Sequence, residues 1–391
     1  VVVGRGDLRQ IARDGRRIEV TVDDGSLSRR HLLLRRLATG WELEDLGSKN
    51  GTIVNGQRCR RTTLDDGDVI EAGSMILLFR EEGVGGRSGS HECLDRDLAD
   101  EGEWSAGAAF RTLMLDLERR LSDLVSIAQS TVPVLLRGET GTGKELFART
   151  VHELSGRPGA FVAVNCGALP RTLIESELFG YRRGSFSDAR EDRDGLVRRA
   201  HGGTLFLDEI AELAPESQVA LLRVLQGDGE VRPVGASDAL TVDVRVVAAT
   251  HQDMEKRIAL GRFRQDLYGR LAGFELELPP LRERLEDLGT LIATILRRLG
   301  GDVAGVTLHR QAARALFGHP YPLNIRGLEQ ALRAAVVLAK GRQIRLEHLP
   351  EAMREYTPAA TLGRSEDPIL RERLQDTLLQ TRGNVTAAAR A

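Results

Sequence analysis

The rhythm of apolar and polar positions divides the chain. Over residues 1 to about 80, short apolar runs (Val1-Val2-Val3; Ile18, Val20 and Val22; Leu32-Leu33-Leu34; Ile76-Leu77-Leu78-Phe79) alternate with turn-forming Gly, Asp and Asn. Short strands at this spacing predict an all-β sandwich. The rhythm stops after residue 80, where Gly83-Val84-Gly85-Gly86-Arg87-Ser88-Gly89-Ser90 reads as a flexible linker. From about 110 the period lengthens, and Phe110, Leu113, Leu117, Leu121 and Leu124 fall at helical spacing.

Val134-Leu135-Leu136, after Pro133, predicts a short buried strand that leads into a Gly-rich turn and a helix. Phe161-Val162-Ala163-Val164, Thr204-Leu205-Phe206-Leu207 and the run from Val242 to Ala249 predict further strands, each followed by helical sequence. Strands alternating with helices imply an α/β domain on a largely parallel sheet. Residues 285–354 predict helices only, and a polar stretch from Tyr356 to Pro368 precedes a short helical tail. The expected plan is a multidomain chain: β-sandwich 1–80, linker 81–107, α/β domain 108–284, helical lid 285–354, linker 355–367 and tail 368–391.

Composition agrees with several folded parts. At roughly 150 residues per domain, 391 residues suggest two or three domains. A 41% hydrophobic, 29% charged chain can bury a sizeable core, which excludes wholesale disorder. Lys plus Arg total 55 against 57 Asp plus Glu, a net charge of -2, so no blanket attraction to nucleic acid or membrane is expected. No apolar run approaches the roughly 20 residues that span a bilayer, and no signal peptide opens the chain. Cys59, Cys93 and Cys166 are odd in number and lack metal-ligand spacing, pointing to a reducing, cytoplasmic setting without membrane association. A chain beginning with Val1 reads as a piece of a longer one.

The chemistry concentrates in two places. Gly138-Glu139-Thr140-Gly141-Thr142-Gly143-Lys144 follows a predicted strand and opens a helix, as a P-loop does. Glycines let successive N–H groups face phosphate oxygens, and Lys144 adds a compact positive charge. Glu145 stands where the strict pattern has Ser or Thr. About 60 residues on, the strand Leu205-Phe206-Leu207 ends in Asp208-Glu209. There Asp208 can hold Mg²⁺ and Glu209 can polarise a water, which makes the pair an NTPase site for ATP and Mg²⁺.

These motifs, with Glu145 after the lysine, resemble those of bacterial enhancer-binding proteins, the AAA+ activators of sigma-54 RNA polymerase, from about Phe110 to Ala352. The resemblance implies that Gly138, Glu139, Thr140, Gly141, Thr142, Gly143, Lys144 and Glu145 contact nucleotide. It further implies that Asn165 couples the catalytic Glu209 to the remodelling surface and that Thr250, in Ala249-Thr250-His251, is the first sensor. Arg264 and Arg270 match paired arginine fingers, and Arg326, in Tyr321-Pro322-Leu323-Asn324-Ile325-Arg326, matches the second sensor. Pro279-Pro280-Leu281-Arg282-Glu283-Arg284 also fits the family. Fingers supplied by a neighbour imply a homo-oligomeric ring, a hexamer. Phe186 and Ser187 fall in the family's sigma-54 contact loop, normally Gly-Ala-Phe-Thr-Gly-Ala, which here reads Gly184-Ser185-Phe186-Ser187-Asp188-Ala189.

Near the N-terminus, Gly4-Arg5, Ser28-Arg29-Arg30-His31, Gly47-Ser48-Lys49-Asn50-Gly51-Thr52 and Asn55-Gly56 resemble a forkhead-associated (FHA) domain, a sandwich that binds phosphothreonine peptides. The resemblance implies phosphate contacts from Arg5 and Ser28 and a peptide-backbone contact from Asn50. Arg30 and Asn55 complete the implied peptide-binding set, and His31 braces the loops. It also implies a first strand upstream of Val1. Leu378 to Ala391 resembles the opening of a Fis-type helix-turn-helix, whose DNA-reading helix would lie beyond the chain.

The expected function is an ATP-hydrolysing activator that remodels sigma-54 polymerase, gated by a phosphothreonine protein, with DNA bound by the full-length protein. Two alternatives stand beside it: an AAA+ ATPase acting on another target, or a phosphopeptide-binding scaffold whose ATPase serves assembly.

Overall fold

The computed structural model describes residues 1–38, 40–80, 112–168, 170–186, 189–226, 229–299 and 306–355. The chain forms two compact units, one of Val1–Glu81, Leu308–His319 and Gln343–Ala391, the other of Glu82–Thr307 and Pro320–Arg342.

Ten strands build the N-terminal sandwich: β1 (Val2–Arg5), β2 (Gln10–Asp14), β3 (Arg17–Val22), β4 (Leu32–Leu37), β5 (Gly40–Asp45), β6 (Thr52–Val54), β7 (Gln57–Cys59), β8 (Arg61–Leu64), β9 (Val69–Ala72) and β10 (Met75–Leu78). One sheet runs β2-β3-β1-β4-β5-β8 and the other β10-β9-β6-β7. Only β1 and β3 pair in parallel; the other pairings are antiparallel. Inward-facing Val3, Leu32, Leu43, Val54, Leu64 and Ile70 form the core. Trp41 meets Phe79 edge to face at 5.8 Å.

In the second unit, α1 (Leu115–Ala128), β11 (Val134–Arg137), α2 (Lys144–Ser155), β12 (Phe161–Asn165) and α3 (Arg171–Phe179) lead to a short ribbon of β13 (Gly180–Tyr181) and β14 (Arg193–Asp194). After α4 (Leu196–Arg199) come β15 (Thr204–Asp208), α5 (Pro215–Leu225), and a second ribbon of β16 (Glu230–Val231) and β17 (Leu240–Thr241). Then follow β18 (Arg245–Thr250), α6 (Met254–Ala259), α7 (Gln265–Leu271), β19 (Phe274–Glu277) and α8 (Leu288–Arg298).

The five long strands form a fully parallel sheet in the order β12-β15-β18-β11-β19. Helices cover both faces, which is why the strands are continuously apolar rather than alternating. Leu205, Leu207, Val246 and Ala248 pack on one face, and Phe206, Val247 and Ala249 on the other.

Two expected boundaries move. Phe110 lies outside the described residues, and α1 starts only at Leu115 because the Asp287 carboxylate captures the Leu113 N–H (2.6 Å) and the Thr112 hydroxyl (2.8 Å). The strand expected from Val242 starts instead at Arg245, since the Val242 N–H bonds to Gly229 O (2.9 Å). Buried Arg245 donates to the terminal carbonyls of α1, to Ala128 O and to Ile127 O (2.9 Å), satisfying acceptors a helix end leaves open.

The expected all-helical stretch also contains strand. β20 (Thr307–Leu308) and β21 (Gln343–Ile344) occur there beside the helices α9 (Arg310–Gly318), α10 (Asn324–Leu338) and α11 (Glu351–Arg354) in chain order. Within the first unit, Arg314 on α9 grips the almost wholly buried Glu71 of β9 with both arms of its guanidinium, at 2.6 and 3.0 Å. The tail from 356, including the resemblance over Leu378 to Ala391, lies outside the described residues. Among the described residues no helix is long and apolar enough to cross a membrane.

Candidate functional site

Open parallel sheets bind ligands beyond the carboxyl ends of their strands, and the P-loop lies there, between β11 and α2. Its backbone explains the glycines. Gly141 has φ +83, and a Cβ there would lie 2.3 Å from Leu323 O. Gly143, the N-cap of α2, has φ +102. Lys144 is buried and folds back onto Gly138 O (2.8 Å) and Glu139 O (3.0 Å). Burial lowers its pKa, opposed by the charges of Glu209 and Asp208. The loop encloses a cavity of about 310 Å³ lined by Lys144, Glu145, Asp208, Glu209, Arg284 and Arg326, among others.

Asp208 ends β15, and Glu209 follows it. Burial, and then the neighbouring Glu209 charge, raise the Asp208 pKa. Glu209 sits at φ 53, ψ 45, a left-handed conformation that costs a non-glycine residue on the order of 1–2 kcal/mol. Such strain clusters at working sites. Asn165 ends β12 and lies opposite Asp208 in the sheet register. Its Oδ1 accepts from Gly167 N (2.9 Å) and Ala168 N (3.0 Å), closing the turn after β12, whereas the Glu209 carboxylate meets His251 Nδ1 at 2.6 Å.

Thr250 is fully buried behind the P-loop; its carbonyl accepts from Gly138 N (3.2 Å) and its hydroxyl from Gln252 N (3.0 Å). Glu139 turns away from the cavity into a fork with Arg282 (2.9 and 2.6 Å) and Asn324 Nδ2 (3.1 Å). Those hydrogen bonds hold its carboxyl down at about 2. Thr142 is buried, its hydroxyl donating to Glu139 O (2.9 Å), and Glu145 pairs with Arg149 on the helix surface at 2.7 Å.

Several organising residues were given no role of their own by the sequence motifs. Asn324, at φ 50 and fully buried, donates to Thr140 O (3.0 Å) and accepts from Leu281 N (2.8 Å). It thereby ties the P-loop to the segment after β19 and to the start of α10. Arg284, buried at the cavity wall, donates to Thr142 O (3.0 Å). Asp287, pushed up to about 6 by burial, holds the approach to α1. Buried Gln218 donates to Leu213 O (2.8 Å) and Arg262 O (3.1 Å) and accepts from Arg264 N (2.9 Å). Arg264 and Arg270 are exposed and absent from the cavity lining. Arg264 pairs with Asp266 at 2.6 Å.

At one end of the sandwich, polar loop residues mostly hold one another. Fully buried His31 accepts from Ser28 N at Nδ1 (3.2 Å), so Nε2 carries the hydrogen and donates to Gly51 O (3.3 Å). Asp45 accepts from Ser48 Oγ and Thr52 Oγ1, both at 2.6 Å. Ser28 Oγ accepts from Lys49 N (3.0 Å), and Asn50 Nδ2 donates to Ser26 O (2.7 Å). Asn55 braces the turn before β7: its amide donates to Asp68 Oδ1 (2.7 Å) and accepts from Val69 N (3.0 Å). Arg5 and Arg30 are exposed, and neither guanidinium bonds another described residue.

Comparison with known proteins fits this layout. Residues 114–277 match the model of the sigma-54 interaction domain, residues 1–73 the FHA domain and residues 282–366 the AAA+ ATPase lid domain. The chain belongs to the family of sigma-54-dependent transcriptional activators. It is 44% identical over 281 residues to the hydrogenase transcriptional regulatory protein HoxA of Cupriavidus necator, covering 68% of this chain and 58% of that relative. It is 45% identical over 277 residues to the response regulator PilR of Pseudomonas aeruginosa, covering 67% and 62%. The chain thus spans about three fifths of these relatives' lengths. Among solved structures, NtrX from Brucella abortus in complex with ATP aligns with a TM-score of 0.56 at 28% identity, covering 73% of this chain and 66% of that one.

The segment expected to match the family contact loop lies between β13 and β14. Gly184 N bonds Ala189 O (2.8 Å), and Phe186, 38% exposed, packs edge to face on Tyr181 at 4.9 Å. Ser185 Oγ is buried with no partner among the described residues. Ser187 and Asp188 lie outside the described residues.

Proposed function

We propose that the chain is a cytoplasmic ATPase that remodels sigma-54 RNA polymerase, works as a homo-oligomeric ring and is gated by a phosphothreonine protein bound at Arg5. One observation carries the ATPase reading. Lys144, Asp208, Glu209 and Arg326 line one cavity, while Arg264 and Arg270 stand outside it. In this reading the P-loop amides and Lys144 bind the phosphates, and Arg326 touches them from α10. The Glu209 carboxylate accepts a proton from water as its oxygen attacks the γ-phosphorus and ADP leaves. Arg264 and Arg270 serve a neighbouring subunit's cavity, which requires ring-like assembly.

Asp208 offers a hard carboxylate oxygen at the cavity, and no group of three or more metal-binding side chains occurs among the described residues. This fits a Mg²⁺ held jointly by Asp208 and substrate phosphates. Bound there, Mg²⁺ would supply charge neutralisation on the phosphates. The tail would contribute DNA contact in a longer protein.

Glu209→Gln tests the assignment: ATP binding should persist while turnover falls about 100- to 10,000-fold, as expected when a general base is lost. Turnover close to that of the parent would overturn it. Asp188 in the contact loop favours a second reading, an AAA+ ATPase with another target; nucleotide-dependent binding to sigma-54 separates the two.

A further inference from the structure

Glu209 follows β15, which lies between β12 and β18 in the sheet, so either neighbour offers a side chain near it: Asn165 from β12 or His251 from β18. Asn165 Oδ1 accepts from the turn amides of Gly167 and Ala168, and among the described residues no hydrogen bond joins Asn165 to Glu209. The carboxylate is gripped from the other side, where His251 Nδ1 lies 2.6 Å from Glu209 Oε2. We propose that His251 is a positioning residue for Glu209, donating through Nδ1–H to Oε2 and thereby presenting the second oxygen to the nucleotide cavity. This rests on the reading of Glu209 as the base.

The chemistry of the contact fixes its direction, because a carboxylate is an acceptor only and the shared hydrogen must reside on Nδ1. Its geometry fixes the sides. The imidazole is 43% exposed and the carboxylate 17%, so the ring approaches from solvent while Glu209 lines the cavity. The backbone of Glu209 is already held, its N–H on Asp208 Oδ1 (3.0 Å) and its carbonyl on Glu212 N (2.9 Å). Side-chain rotation is the freedom left, and His251 restrains it. The segment carrying His251 is anchored too. Gln252 bonds Thr250 Oγ1 and Glu212, and Arg257 adds a 2.7 Å contact to Glu212. The residues after β18 thus clasp the turn after β15 at both Glu209 and Glu212.

Side-chain geometry supplies the test. The amide nitrogen of Asn is attached to Cγ, as Nδ1 is in His, whereas that of Gln lies one bond further out. His251→Leu and His251→Gln should therefore lower kcat about 10- to 100-fold, while KM and the affinity for a non-hydrolysable ATP analogue stay within about twofold. His251→Asn should recover kcat to within about threefold of the parent. A merely structural role would not separate Asn from Gln. The proposal is overturned if His251→Leu turns over ATP at the parental rate, or if Asn is no better than Gln. Glu209→Gln assayed alongside keeps the two readings apart: an active Glu209→Gln overturns the base assignment, and an inactive one beside a fully active His251→Leu overturns the role of His251 alone.

Discussion

The nucleotide cavity and the Arg5 end of the sandwich are both made by loops at strand ends, yet they are organised in opposite ways. In the cavity the backbone forms the receptor, and side chains such as Asn324 and Glu139 lock the loop from behind. The charges of Lys144, Asp208 and Glu209 are thereby left facing inward. In the sandwich the side chains form the scaffold. Ser28, Asp45, Ser48, Asn50 and His31 are joined to one another or to loop backbone, and Arg5 and Arg30 remain uncommitted. A residue type suited to ligand contact therefore says more about function in the first region than in the second.

The largest effect that would break this contrast concerns the residues outside the cavity. Arg264→Ala should lower turnover about 1,000-fold, the typical worth of an arginine finger. Mixing it with Glu209→Gln subunits should restore activity in proportion to the intact interfaces. Mixtures inactive at every ratio, with co-assembly shown by native mass spectrometry, would argue that the finger acts within its own subunit.

Next come the sandwich loops. Arg5→Ala should weaken phosphothreonine-peptide binding about 10- to 100-fold in titration calorimetry, since hydrogen bonds to charged groups contribute about 1.5–3 kcal/mol. Asn55→Ala should instead lower the unfolding free energy by about 1–3 kcal/mol and leave peptide affinity within about twofold. Equal loss of peptide affinity in both variants would keep Asn55 in the binding set.

Acid should separate the two regions by sign. Burial works against the Asp24 carboxylate, but hydrogen bonds from Ser26 and Ser74 hold its pKa at about 2, below the ordinary 3.8. Its contribution is present above pH 3.8 and is lost as pH falls toward 2. Asp287 is raised by burial from 3.8 to about 6, so the folded state binds the extra proton. Its contribution is full below pH 3.8 and declines as pH rises through 6. Hydrogen exchange resolved by segment should show the Thr112–Leu113 approach more protected at pH 4 than at pH 7, and the Asp24 loop losing protection only below pH 4. A common trend in both would contradict these environments.

The smallest expected change is in the contact loop. Replacing Ser185→Ala, Ser187→Thr and Asp188→Gly together should strengthen nucleotide-dependent sigma-54 binding about fivefold, or about 1 kcal/mol, the upper scale of a single surface charge interaction. ATPase activity should not change. Equal affinity of the native and altered loops would show that the departure from the family pattern is neutral.

Most of the architecture was legible because it is local. Apolar runs marked the strands, and glycine spacing marked the P-loop before its φ angles were known. What escaped depends on partners far apart in sequence, such as Asp287 with Thr112, or Asn324 with Glu139. No periodicity announces such pairs, since each is a single polar group that finds its complement only after the chain has folded. The same reason explains Asn165 and His251, two residues on opposite sides of one strand. Sequence order could name both, but only the packed sheet decides which of them reaches Glu209.

Gln218 gives the cavity a mechanical dimension. One buried amide bonds Leu213, in the turn that follows Glu209, and also Arg262 and Arg264, so both segments are pinned to the same strut. A shift of that turn in the proposed hydrolysis cycle would reach Arg264 through this strut. In the proposed ring, the state of one cavity would thus be felt in the next through a linkage only one side chain long. With each subunit of that proposed ring lending its finger in one direction, the signal would travel around it with a fixed sense of rotation.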